Sequence, residues 1–269
     1  MKTSQAFRQE IIELRVPPDR LAFWWLGQQS WIIKTANHIL GLDLYLKEDP
    51  RRIVPPLPKP EDCDFFGSIF ATHDHTDHFD QSSLARIAPL NERTRFFIPK
   101  HLREKASDLG IDAARLVLMD GENAFEDGTL HVCSIPSAHE RLEYDAETGF
   151  QYIGYVIMVD GFTVYHAGDT CYYDGLLGRL KECSLDLMFV PINGRDGVRY
   201  RRNTIGNLTY QEAADLVGMA EPKLGCPAHY GMFAYNTEDP RLFADYLSAK
   251  YPGQKYWIGK PFEAVWISR

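Results

Sequence analysis

Six consecutive positions of this 269-residue chain, His73-Asp74-His75-Thr76-Asp77-His78, hold three histidines and two aspartates. So many imidazoles and carboxylates side by side are costly to crowd or bury unless a cation gathers them. Neutral imidazole is the commonest metal ligand, and a carboxylate beside it adds the charge a divalent ion needs. The preceding Ser68-Ile69-Phe70-Ala71 is mostly apolar and reads as a buried strand delivering the run into a loop. Residues two apart in an extended segment point the same way, so His73 and His75 can hold one ion. Asp77 and His78, on the turn beyond, are free to face a second.

Further candidates stand at the ends of predicted strands: His139 in Pro136-Ser137-Ala138-His139, Asp169 in His166-Ala167-Gly168-Asp169, and His229 in Pro227-Ala228-His229. Strand ends opening into loops are where such scaffolds put their chemistry. Each is weak alone, and it is their occurrence after the H-x-H-x-D-H run that makes them candidates. His38, His101 and His131 show no partner spacing. His166 reads as a core or supporting histidine, and Cys171 as a buried thiol.

The elements that must position these residues are short. Strands are predicted at 21–26, 30–34 and 38–44, with Gly27-Gln28-Gln29 turning between the first two, and at 68–72 and 95–98. Helices follow at 81–88 and 100–109. The second half predicts strands at 130–135, 151–159 and 162–167, with Val159-Asp160-Gly161 as a hairpin turn, then at 185–190, 223–227 and 262–267. Thr209-Tyr210-Gln211-Glu212 is a capping box, and Ala213, Ala214, Leu216, Val217 and Ala220 supply the apolar face of the helix behind it. Another helix covers 240–250. The proline-rich stretch 54–60 is too short to separate domains. The pattern predicts one α/β (α+β) domain over residues 1–269, with sheet on sheet and helices outside.

Composition narrows the class. With 45% hydrophobic and 25% charged residues the chain reads as an ordinary globular protein. A net charge of −8 argues against nucleic acid as a partner. Residues 1–19 have no apolar core of signal-peptide type, and no stretch approaches a membrane span, so no membrane partner is expected. Five cysteines without a C-x-x-C fit reduced thiols, and the expected location is the cytoplasm.

Over nearly its whole length the chain resembles the metallo-β-lactamase superfamily of binuclear metallohydrolases. The resemblance is carried, in order, by Trp24-Trp25-Leu26-Gly27, Asp43, His73-His75-Asp77-His78, His139, Asp169 and His229. It implies a four-layer αββα sandwich with the site at one edge between the sheets. It also implies that His73, His75 and His139 hold a first ion, that Asp77, His78 and His229 hold a second, and that Asp169 bridges them. Asp43 matches an early acidic residue that supports the histidine loop from behind. Within the superfamily the chain is similar to the L-ascorbate-6-phosphate lactonase family in Phe23-Trp24-Trp25-Leu26-Gly27, in Ala71 through His78, in Tyr165-His166-Ala167-Gly168-Asp169 and in Pro227-Ala228-His229-Tyr230. Gln28 departs from it, at a position where many relatives carry His or another residue.

Nitrogen and oxygen donors without Cys suit two divalent ions, Zn²⁺ or Mn²⁺ foremost, with Fe²⁺ also admissible. Such ions lower the pKa of bound water towards ~7 and can hold a hydroxide between them, with Asp77 as the carboxylate that orients it. The expected function is a metal-dependent, lactonase-like hydrolase of a small anionic ester or lactone. The alternatives are a phosphodiesterase or nuclease of the same fold and a non-catalytic metal-binding protein. Asp169 and His229 are only 60 positions apart, which leaves no room for the nucleic-acid-binding insertion of the nuclease relatives. His75 stands where di-iron oxygen reductases of this fold carry Glu, which argues against a redox role. Arg195, Arg199, Arg201 and Arg202 lie between those two ligands, and arginine forks recognise phosphate or carboxylate bidentately. The expected partner is therefore a phosphorylated or otherwise anionic small molecule, with Tyr230 lining its pocket. A homo-oligomer is compatible with all of this.

Overall fold

The computed structural model describes residues 2–269. After helix α1 (Ser4–Glu13), strand β1 (Arg20–Gly27) alternates strictly: Leu21, Phe23 and Trp25 enter one core, while Ala22, Trp24 and Leu26 enter another. A strand apolar on both faces needs cover on both, and this determines the layering. β2 (Ser30–Lys34), β3 (Ile39–Leu42), β4 (Ser68–Phe70), β5 (Arg95–Pro99) and β6 (Leu116–Met119) continue the first sheet. The second sheet uses β7 (Ala124–Asp127), β8 (Leu130–Pro136), β11 (Ile153–Val159), β12 (Phe162–His166), β13 (Leu187–Pro191) and β14 (Leu224–Ala228). A small hairpin of β9 (Tyr144–Asp145) and β10 (Gly149–Phe150) stands apart, and β15 (Val265–Ser268) returns to pair antiparallel with β1. The strand orders are β15-β1-β2-β3-β4-β5-β6 and β14-β13-β12-β11-β8-β7.

Between the sheets, Trp31 stacks on Phe189 with ring centroids 3.9 Å apart, and Phe70 meets Tyr155 edge-on. The buried Tyr155 hydroxyl donates to the Ala71 carbonyl (2.7 Å), tying the second sheet to the end of β4. Each large side chain so buried contributes about 1.5–3 kcal/mol. α1, α2 (Gln81–Ile87) and α3 (Arg103–Asp108) cover the outer face of the first sheet through Phe7, Ile11, Leu84, Ile87 and Ala106. α4 (Leu176–Lys181), α6 (Tyr210–Ala220) and α7 (Pro240–Lys250) cover the second through Leu176, Leu180, Leu216, Val217, Phe243 and Leu247. α5 (Gly197–Arg201) is a short turn within the arginine stretch. The result is the four-layer αββα sandwich. Among the described residues no helix is long and apolar enough to cross a membrane.

Strand direction decides where chemistry gathers. β3, β4 and β5 run parallel, as do β12, β13 and β14. Parallel neighbours deliver their carboxyl ends to the same edge, so the loops after β3, β4, β12 and β14 meet there.

Several predicted boundaries move for local reasons. The strand at 38–44 stops at Leu42, because Asp43 takes a left-handed φ of 43°. The closing strand starts at Val265 rather than 262, where Phe262 has φ 67°. The helix at 100–109 divides into a 3₁₀ turn followed by α3. The capping box at Thr209 forms as predicted, Glu212 N donating to Thr209 Oγ1 (3.2 Å) and Thr209 N to Glu212 Oε2 (2.9 Å).

Candidate metal centre

The site begins where β4 ends. Residues 73–78 leave the sheet in a tight loop, closed by His78 N and Phe79 N, which both donate to the His75 carbonyl (2.9 and 2.8 Å). This brings the three histidines and Asp77 onto one short arc. Buried Asp80 follows. It accepts Leu46 N and Lys47 N (3.0 and 2.7 Å) and caps α2 through Ser83 N, so it pins the arc to the loop after β3.

The remaining side chains come from the second sheet: His139 after β8, Asp169 after β12, and His229 directly after β14. Gly168 has φ 59°, and a Cβ there would lie 2.7 Å from the Thr72 Cβ. Glycine therefore lets the Asp169 loop press against the root of the histidine loop. Ligand atoms of His73, His75, His139 and Asp169 all lie within 4.8 Å of one another, and so do those of Asp77, His78 and His229. Asp169 faces both groups. Its Oδ2 is 3.1 Å from His229 Nε2 and 3.8 Å from His139 Nε2, and its Oδ1 is 3.4 Å from His78 Nε2.

Groups behind the ligands choose which imidazole nitrogen points inward. Asp43 is wholly buried and accepts from His78 Nδ1 (2.7 Å), His166 Nε2 (2.9 Å), Thr72 Oγ1 (2.8 Å) and Thr72 N (2.9 Å). His78 thus spends its Nδ1–H on Asp43 and turns Nε2 to Asp169. His139 Nδ1 likewise donates to the Gly206 carbonyl (3.1 Å), leaving Nε2 for the interior.

The electrostatics call for positive charge. Burial keeps the His73, His75 and His139 imidazoles below their usual pKa, neutral as ligands must be. Burial also disfavours charge on His78, but Asp169, Asp77 and Asp43 outweigh it and hold its pKa well above the usual value. Burial works against the Asp169 anion, yet His229 and His78 keep its carboxyl well below the usual range. His78 Nε2 and Asp169 Oδ1 are buried and have no hydrogen-bond partner among the described residues. Orphaned polar atoms facing one another within an all-nitrogen and oxygen donor set fit divalent cations.

A cavity of about 360 Å³ opens beside His75 and Asp77. Tyr45, Phe233 and Tyr235 form its aromatic wall, Lys47 lines it as a cation, Arg51 lines it while held by Asp49 (2.9 and 2.6 Å), and Gln28 lines it next to the candidate ligands. A larger depression of about 670 Å³, near Lys223 and Arg269, contains none of the candidate ligands. The four arginines do not line the cavity beside Asp77. Arg195 is held bidentately by Glu212 (2.6 and 2.7 Å) and also donates to the Asn207 carbonyl, while Arg199 is paired with Asp196 and donates to the Thr237 carbonyl. Arg201 and Arg202 are exposed. Tyr230 is buried against Trp25, with ring centroids 4.6 Å apart.

For two residues, spacing along the chain does not give the partner, although His166 holds the supporting place expected of it. His166 is the second imidazole on Asp43, 123 positions away in sequence. Gln28 is fully buried, with Nε2 3.1 Å from Asp77 Oδ2 and 3.1 Å from His229 Nδ1. A local backbone signal marks Gln28 but not His166. Gln28, Asp43 and His229 all take left-handed φ (54°, 43° and 59°), a conformation that costs a non-glycine residue about 1 kcal/mol or more and clusters at functional sites.

Comparison with known proteins speaks for the family and the fold. The family model for the beta-lactamase superfamily domain matches residues 41–230. A UPF0173 metal-dependent hydrolase of Thermococcus kodakarensis is 28% identical over 222 residues, covering 81% of this chain and 88% of the relative. Among solved structures, Igni18, a novel metallo hydrolase from the hyperthermophilic archaeon Ignicoccus hospitalis, superposes with a TM-score of 0.70 at 18% identity, covering 93% of this chain and 99% of that one. An isothiocyanate hydrolase from Delia radicum gut bacteria gives 0.71 at 16% identity, covering 92% of this chain and all of that one. At these identities the two structures speak for the fold alone.

Proposed function

The chain belongs to the beta-lactamase superfamily, and we propose that this metal-dependent hydrolase works with two divalent ions on a small anionic ester or lactone. His73, His75 and His139 would hold one ion and Asp77, His78 and His229 the other, with Asp169 between them. The observation that carries the reading is the convergence of seven side chains from four separate loops into two groups that Asp169 faces together. When bound, such ions supply Lewis acidity and a water whose pKa is lowered towards ~7.

The chain's own residues do the rest. Asp43 and the Gly206 carbonyl hold the His78 and His139 rings with Nε2 inward. Asp77 is partly exposed and lines the cavity, where its carboxylate can take up a proton from an entering water. Lys47 supports an anionic substrate, because among the described residues it is the cation of the cavity that no acid holds, Arg51 being taken bidentately by Asp49 (2.9 and 2.6 Å), and the cavity volume suits a small molecule. We read residues 1–269 as one domain serving this site.

The test is elemental analysis of protein purified without chelator, followed by a panel of lactones, carboxylic esters, phosphodiesters and thioesters. Close to two ions per chain is expected, together with hydrolysis that chelation abolishes and Zn²⁺ or Mn²⁺ restores. A preparation equally active with and without its ions would overturn the reading.

A further inference from the structure

Gln28 sits in the turn between β1 and β2 with its backbone fixed independently of its side chain. Its carbonyl accepts from Trp25 Nε1 (3.0 Å) and from His229 N (2.9 Å), so the turn and the root of His229 are already tied together. The side chain is not needed to close that turn. It enters the second ligand group instead, with Nε2 donating to Asp77 Oδ2 (3.1 Å) and lying 3.1 and 3.4 Å from the two ring nitrogens of His229. Its Oε1 is buried without a hydrogen-bond partner among the described residues, and the residue lines the cavity beside Asp77. Neighbouring Gln29 also leaves its Oε1 without a partner among the described residues, but its Nε2 ends on the Gly168 carbonyl (2.6 Å) and touches neither ligand group.

We infer that Gln28 is a positioning residue for the second ion: its amide holds Asp77 in a ligating orientation. The inference rests on the two-ion reading above. Asp77 lies on a partly exposed loop tip, so a side chain fixed by a rigid strand turn supplies the orientation the loop lacks.

The experiment titrates the full chain with Zn²⁺ against a chromophoric chelator and compares wild type with Gln28→Met and Gln28→Glu. Gln28→Met keeps the side chain's length and removes both polar ends. It should leave the tighter site within about threefold and weaken the other by about 10–100-fold, with kcat reduced at saturating metal and KM little changed. Gln28→Glu replaces the donor facing Asp77 with a carboxylate. It should tighten the second ion, through added negative charge, and still lower kcat. Opposite shifts in affinity are not what a merely structural glutamine produces. Wild-type affinities and kcat in both variants would overturn the inference and leave the two-ion reading intact. A wild-type protein that takes up fewer than two ions would instead defeat the two-ion reading itself. If circular dichroism shows the methionine variant unfolded, the sign of the glutamate shift decides alone.

Discussion

Replacing Asp43 by asparagine probes whether the groups behind the ligands set both stability and metal affinity. The side chain is wholly buried, and its Oδ2 accepts three hydrogen bonds, from Thr72 Oγ1, His78 Nδ1 and His166 Nε2. Asparagine keeps the shape and an oxygen for Thr72 N, but its NH₂ then faces those three donors. The Thr72 hydroxyl can rotate away; the two imidazoles cannot both do so. A buried donor left unsatisfied costs about 1–3 kcal/mol, so two of them should weaken the metal-free fold by about 2–6 kcal/mol. His78 can relieve its share by giving up the Nδ1 proton and keeping the one on Nε2, which closes the nitrogen facing Asp169. Affinity at the second site should then drop by about 10–100-fold. Urea denaturation of the metal-free protein measures the first effect and chelator competition the second. Metal-free stability within about 0.5 kcal/mol of wild type, with both affinities unchanged, would refute the argument.

Other expectations follow from the same structure. Asp77→Asn should keep the fold and lose about 10³-fold in rate or more, checked by circular dichroism beside steady-state kinetics. Trp31→Ala, between the sheets and fully buried on Phe189, should cost about 3–5 kcal/mol in chemical denaturation. Burial would raise the Asp160 carboxyl, but hydrogen bonds from Asn37 and Thr35 prevail and bring its pKa down to about 2. A depressed folded pKa contributes stability that is fully present above the ordinary carboxylate value and is lost as pH falls from about 4 towards 2. For this partly exposed group, solvent screening leaves about 1 kcal/mol. The gap in urea midpoint between wild type and Asp160→Asn should therefore narrow across that window, and a gap independent of pH would count against it.

Where the determining contacts are local, the elements could be read in advance. The strand at 21–26, the capping box at Thr209 and the hairpin turn at Val159-Asp160-Gly161 each depend on a few neighbouring residues, and each stands where the pattern puts it. α1 gave little sign of itself, because Phe7 and Ile11 are its only fully buried apolar side chains. The arginine stretch shows the converse. Its composition suggested anion binding, but the nearest anions are the chain's own: Glu212 takes Arg195, and Asp196 takes Arg199.

By itself, then, the sequence determined the candidate ligand types and the compact arc from His73 to His78, because residue chemistry and i, i+2 spacing act over a few ångströms of chain. The tertiary structure alone decided that His139, Asp169 and His229 meet that arc, since parallel strands in two sheets must first bring their carboxyl ends to one edge. It also decided that Asp43 joins His78 to His166 and that Gln28 reaches Asp77. Hydrogen bonds between residues 35 to 123 positions apart become favourable only once burial has removed competing water, and no pattern along the chain encodes which donor will find which acceptor.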